Sequence, residues 1–307
     1  MRAGALTLNG KRLGSLEFFV KRGDVVSLAP LPGAQDAAAA AASAAAVNWR
    51  ARVLYEDEAL LVIDKPAGIA SAPARGDATH ALGCMEAMLR RRDGDAAPPE
   101  LFPLHRLDKG TSGVLMLAKQ ARVCAPVSRM FRTRDGVKKQ YWALLSGGLP
   151  GMPDAGQWAD SLVLGGDGKS HVLPPGSEEE GKSAKAGYEV VTRMGRAATV
   201  VRLSPTTGRM HQLRVQSASR GAPVLGDDVY GSLSGALPPP PRLCLHCARM
   251  VLRHPDDATR ELVFEAPLPE ELAVYALRLR KAGRATEPPA ADAAAAAAAA
   301  PAVPAMA

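Results

Sequence analysis

The chain has 307 residues, 47% hydrophobic and 22% charged, which suits a soluble globular protein of one large domain or two smaller ones. No apolar run approaches the roughly 18–20 residues that cross a bilayer, and four cysteines in so long a chain exclude a disulfide scaffold and point to a reducing compartment. The net charge of +7, from 38 Lys and Arg against 31 Asp and Glu, is concentrated locally: Lys119 to Gln140 holds seven basic residues and one acid, Asp135. Such a run reads either as a solvated helix face or as a surface for phosphates.

Residues 1–30 form a small basic module. "ALTLNGKRL" alternates about a turn at Asn9-Gly10, a strong hairpin signal, so the N-terminus reads as strand and turn rather than as a secretion signal. Residues 31–50 are an Ala-rich linker. Residues 51–279 read as one catalytic domain. Its strand candidates are Val53–Leu54, Leu60–Asp64, Gly113–Ala118, Tyr141–Leu145, Gly187–Thr192, Ala198–Leu203, His211–Val215, Leu243–Leu252 and Glu261–Phe264; helical patterns cover His80–Arg91 and Ala121–Arg132. Many strands, few helices and no regular βαβ alternation predict an α+β fold with a central mixed or antiparallel sheet flanked by helices and loops. Residues 280–307 predict a low-complexity, disordered tail. No internal repeat is present, and no G-x-G-x-x-G after a strand, no G-x-x-x-x-G-K-[ST] and no H-E-x-x-H supports a nucleotide cofactor or a zinc protease.

Four stretches could carry chemistry. In "HRLDKGTSG" (His105–Gly113), Asp108 precedes a glycine turn into an apolar strand; alone it reads as a turn cap, but the adjacent cations are not needed for capping. Ser112 raises a Ser–His–Asp hydrolase, against which G-T-S-G is not the G-x-S-x-G elbow. In "TGRMHQLRVQSASRGAPVLGDDVYG" (Thr207–Gly231), strand alternation puts Arg209 and His211 on one face and Gln212 and Arg214 on the other. In "KKQYWALLSG" (Lys138–Gly147), Tyr141 is either a buried structural tyrosine or an aromatic face for a base. In "RLCLHCARM" (Arg242–Met250), Cys244 and Cys247 bracket His246, but a zinc site needs three or four converging ligands and no second pair has matching spacing.

Taken together these stretches resemble the RluA-type pseudouridine synthase family. Its H-R-L-D-x-x-T-S-G is His105–Gly113, its R-x-H-Q-[IL]-R is Arg209–Arg214, and its G-x-P-[IV]-x-G-D-x-x-Y-G is Gly221–Gly231. The tyrosine of its K-x-Y-x-A strand is Tyr141, its opening motif is "VLYEDEALLVIDKPAG" (Val53–Gly68), and its R-x-x-L-H-A is Arg242–Cys247, with Cys247 in place of Ala. Gly110, Met210 and Gln216 depart from the usual residues. Residues 1–30 resemble the second half of an S4 RNA-binding domain.

The resemblance implies an isomerase that converts uridine in ribosomal or transfer RNA to pseudouridine. It needs no redox cofactor, no metal, no ATP or other nucleotide cofactor and no membrane, and is expected to act as a monomer in the cytoplasm or an organelle. It also implies the roles. Asp108 is the catalytic carboxylate, ionised at neutral pH, with Arg209 its expected ion-pair partner. Tyr141 stacks on a uracil flipped out of the RNA. Arg106 holds the flipped state, His105, His211 and Arg214 position the RNA, and Lys138, Lys139, Arg129 and Arg132 contact phosphates. The rival reading from another class is an inactive RNA-binding protein on the same scaffold.

Overall fold

The computed structural model describes residues 6–8, 11–12, 26–28, 44–73, 79–94, 100–133, 136–149, 151–231 and 237–285. Three short strands, β1 (Leu6–Leu8), β2 (Lys11–Arg12) and β3 (Val26–Leu28), make a small antiparallel sheet in the order β2-β1-β3, with Leu8 opposite Lys11 as a hairpin requires. Most of the Ala-rich linker and of the C-terminal tail lies outside the described residues.

The other described strands form one 11-stranded sheet. They are β4 (Val53–Glu56), β5 (Leu60–Lys65), β6 (Phe102–Pro103), β7 (Ser112–Ala118), β8 (Lys138–Ser146), β9 (Ala155–Leu164), β10 (Ser170–Val172), β11 (Lys182–Met194), β12 (Ala198–Pro205), β13 (Leu245–His254) and β14 (Asp257–Glu265). The order is β10-β9-β11-β12-β8-β13-β7-β5-β4, with β14 added to β13 and β6 to β7. Only β13 and β7 run parallel, so the sheet is mixed, as the strand-rich pattern predicts.

Strands β5 and β7 are buried at every position, which is why they read as continuous apolar runs rather than as alternating ones. Where β7 begins, Gly113 has φ +111, and a Cβ there would lie 2.1 Å from the Cys247 carbonyl oxygen. Only glycine lets β13 approach in that register, and this contact fixes the mouth of β7.

Four α-helices of seven residues or more accompany the sheet among the described residues. Helix α1 (Ala81–Asp93) is capped by the His80 side chain, which accepts from the Gly83 N–H at 3.0 Å, and stops at Gly94 with φ +86. Helix α2 (Cys124–Thr133) follows β7 and carries part of the basic run. Helix α4 (Glu270–Ala285), absent from the sequence reading, buries Leu272, Tyr275 and Leu279 on one stripe and continues past Leu279, where the tail was expected to begin.

Helix α3 (Gln212–Ala218) corrects the expected strand His211–Val215. Residues Gln212 to Ser217 are all buried, so no 3.6-residue stripe exists to be read. Its start is fixed by side chains. Gln212 Oε1 accepts from Thr207 Oγ1 at 2.7 Å and from the Arg209 N–H at 3.1 Å, while its Nε2 donates to the Lys185 carbonyl at 3.1 Å. His211 precedes the helix in the left-handed region, with φ 52. No described helix is long and apolar enough to cross a membrane.

Candidate active site

The mouth of β7 opens into a cleft of about 990 Å³ walled by the β6–β7 loop, α2, β8 and the turn that enters α3. Asp108 lies in it. Its backbone carbonyl accepts from the Thr111 N–H at 3.0 Å, closing the turn, while its carboxylate, read in the sequence as a side-chain cap, is 21% exposed and faces the cleft beside Arg214.

The cation beside that carboxylate is Arg214, whose Nη1 is 3.5 Å from Asp108 Oδ2. Arg209, the expected partner, instead donates from Nε to the Ser183 carbonyl at 3.0 Å. The reason is the helix: once residues 212–218 coil, Arg214 swings under the sheet mouth and Arg209 is left on the exposed turn before it. Arg214 is 6% exposed and fully occupied. Its Nε and Nη2 grip Asp227 bidentately at 2.8 and 2.7 Å, and Nη2 also lies 3.4 Å from Asp228. Burial works against its charge, but Asp227 first and then Asp108 hold its pKa above the usual arginine value. Asp227, whose side chain has no exposed surface, stays below the ordinary carboxylate range because Arg214 and the N–H groups of Val229 and Tyr230 outweigh its burial. The result is an ordered row of anion, cation and anion with Asp108 at its open end.

Tyr141 sits on β8 opposite Cys247 of β13 and lines the cleft at 8% exposure. Burial, then the neighbouring Cys247 and Asp108, push its phenol well above 10. Trp142 takes the other face, under the Arg202 guanidinium. His211 places Nε2 4.0 Å from Asp108 Oδ1.

The remaining residues singled out in the sequence divide. Arg106, Arg132, Lys138 and Lys139 line the cleft; Arg129 is exposed on α2 outside its lining. Lys139 lies over the Phe131 ring at 5.2 Å. His105 also lines the cleft, yet its Nε2 accepts from the Met116 N–H at 3.1 Å and its ring packs against Phe131. Burial, with the Lys139 charge, lowers its pKa to about 3, so it is a neutral acceptor built into the wall. Ser112 is buried; its Oγ bonds His246 Nδ1 at 2.8 Å and accepts from Arg242 Nη2 at 3.0 Å, and His246 Nε2 lies 3.2 Å from the Ala266 carbonyl. That arrangement braces the Asp108 turn from behind and keeps the Ser112 hydroxyl buried.

Two supporting residues went unassigned in the sequence. Asp227, in the Gly-Asp-Asp-Val-Tyr-Gly stretch, holds Arg214. Lys65, in "DKPAG", is fully buried, and its Nζ donates to the carbonyls of Pro66 at 2.8 Å, Ile69 at 2.7 Å and Lys109 at 3.4 Å. The last contact joins the opening motif to the residue after Asp108; burial pulls the Lys65 pKa down to about 7.

Comparisons with known proteins converge on this architecture. Residues 59–219 match the family model described as RNA pseudouridylate synthase. The chain is 33% identical over 237 residues to the ribosomal large subunit pseudouridine synthase D of Nitrosomonas europaea, covering 75% of this chain and 65% of that protein. It is 36% identical over 207 residues to the dual-specificity RNA pseudouridine synthase RluA of Haemophilus ducreyi, covering 67% of this chain and 88% of that one. Among solved structures, human RNA pseudouridylate synthase domain containing 4 superposes with a TM-score of 0.61 at 28% identity, over 80% of this chain and 97% of that one. The chain therefore belongs to the RluA-type family of RNA pseudouridine synthases, which are isomerases.

Proposed function

We propose that the cleft receives a uridine flipped out of ribosomal or transfer RNA and that Asp108 is the carboxylate that acts on it. The observation carrying this reading is the pairing of Asp108 with Arg214 at 3.5 Å in a cleft that also holds Tyr141. In the isomerisation the C1′–N1 bond breaks, the uracil turns, a C1′–C5 bond forms, N1 ends protonated and the C5 proton leaves. The ribose gains positive character as N1 departs, and an anion fixed beside C1′ meets that charge. Arg214, itself clamped by Asp227, keeps the carboxylate of Asp108 oriented.

Tyr141 supplies the ring face for the displaced uracil, a contact worth on the order of 1–3 kcal/mol. Its raised pKa keeps the phenol protonated, so it serves as a platform and hydrogen-bond donor rather than as a phenolate. Arg106 at the mouth holds the opened strand, Arg209 stands at the rim, and Lys138, Lys139 and Arg132 take the flanking phosphates. The substrate assignment draws on the relatives, one named for the large ribosomal subunit and one as dual-specificity. We also read residues 1–30 as a partial S4-like module that adds RNA contacts and residues 51–279 as the catalytic domain.

The test is release of tritium from [5-³H]uridine in ribosomal and transfer RNA transcripts incubated with the purified chain, followed by mapping of the modified positions. Release confined to one RNA class names the substrate. Release from neither, with both bound, contradicts the proposal.

A further inference from the structure

Behind Asp108 two hydrogen bonds meet at the Tyr230 hydroxyl and lead to a ring whose other nitrogen lies near the carboxylate, and none of the roles above uses them. The Ser170 N–H, on β10, donates to the Tyr230 hydroxyl at 2.9 Å. The same hydroxyl is 3.1 Å from His211 Nδ1. The other nitrogen of that ring, Nε2, is 4.0 Å from Asp108 Oδ1. The amide can only donate, so it takes an acceptor lone pair of the phenol. Two arrangements remain: the phenol accepts a second time, from an Nδ1–H, or it directs its single proton at His211 Nδ1, which then accepts. A neutral imidazole that accepts at Nδ1 carries its proton on Nε2.

The surroundings support a fixed, neutral ring. Tyr230 is tied at its backbone to Asp227, whose Oδ1 accepts from the Tyr230 N–H at 3.0 Å, and the Arg214 guanidinium lies over its ring. The His211 and Tyr230 rings meet edge to face at 85°. Burial lowers the His211 pKa against the pull of Asp108, with Arg214, Asp227 and Arg106 the other charges near it; burial raises that of Tyr230, which therefore keeps its proton. His211 holds φ 52, in the left-handed region that few non-glycine residues adopt, histidine among the more frequent of them.

We propose that Tyr230 is a positioning residue that locks His211 as the Nε2–H tautomer, so that an N–H is aimed at Asp108 Oδ1 while Arg214 holds Oδ2. The two carboxylate oxygens then differ. Oδ2 belongs to the guanidinium, and Oδ1 is the one steered by a neutral donor. This rests on the reading of Asp108 as the acting carboxylate.

The test combines tautomer and kinetics on the full chain. With [¹⁵N]histidine labelling, two-bond ¹⁵N–¹H correlation identifies the His211 signals by their loss in His211→Gln and reports which nitrogen is protonated. The wild type is expected to show Nε2–H, and Tyr230→Phe a mixture of tautomers. The same variant is expected to lower kcat for tritium release by up to about 100-fold, the scale of a misplaced group at a reacting centre, with KM for RNA unchanged. An Nδ1–H ring in the wild type overturns the proposal. So does Tyr230→Phe with an unaltered tautomer or an unaltered kcat. The wild-type spectrum decides even if that variant does not fold. Full activity of an Asp108 variant would instead remove the reading of Asp108 and leave the tautomer result standing.

Discussion

Two arginines five positions apart in one short motif have different jobs. Arg214 is buried, forked onto Asp227 and directed at Asp108; Arg209 is exposed and bonded to a strand carbonyl. A lysine at 214 would keep the charge and lose the fork. Arg214→Lys is therefore expected to lower the single-turnover rate by about 100-fold, the scale of one lost charge-orienting contact at a reacting centre, whereas Arg209→Ala leaves that rate within about threefold and weakens RNA binding instead. His105 makes a separate, pH-linked prediction. Its folded pKa of about 3 lies below the ordinary 6.5, so the unfolded chain takes up the proton first. Its contribution to stability is complete above pH 6.5 and falls as pH drops from 6.5 toward 3, by up to about 1.4 kcal/mol per pH unit. Urea unfolding between pH 7 and 4.5 should show a shallower decline in His105→Gln than in the wild type.

At the scale of elements, the sequence makes legible what is periodic or punctuated. Strands β5, β7 and β8 stand out as apolar runs, helices α1 and α2 as helical patterns, and the Asp108 turn by its glycines. Helix α3 is hidden because it is buried on all sides and is started by Gln212 bonding to Thr207 in the preceding turn and to Lys185 on a strand 27 positions earlier. The choice between Arg209 and Arg214 follows from that one element: as a strand it favours the first, as a helix the second. Lys65 and Asp227 were unreadable for a related reason, since their partners lie at Lys109 and Arg214. The β7–β13 crossing gives the sharpest element-level prediction. A methyl at position 113 would lie 2.1 Å from the Cys247 carbonyl in a backbone conformation that disfavours any side chain. Gly113→Ala is expected to destabilise the protein by on the order of 3 kcal/mol or more, combining strain with overpacking, read as a fall in the urea midpoint or as insoluble protein.

Across the whole molecule, the mixed sheet carries Asp108, Tyr141 and the α3 turn to one cleft, and the basic residues of α2 and β8 line its outer part. The phosphate contacts proposed there would make affinity depend on salt. A plot of log affinity against log salt should lose about 0.7–0.9 in slope for each phosphate contact removed, so Lys138→Ala is expected to flatten the plot by that amount with kcat retained. A slope unchanged by Lys138→Ala would move the RNA path off this wall. The account as a whole turns on Asp108, and Asp108→Asn, which removes the anion and keeps the shape, tests it most directly. Measured by tritium release from [5-³H]uridine RNA beside a gel-shift assay, the variant is expected to bind RNA as the wild type does and to release no tritium above background. Wild-type release from Asp108→Asn would contradict the account.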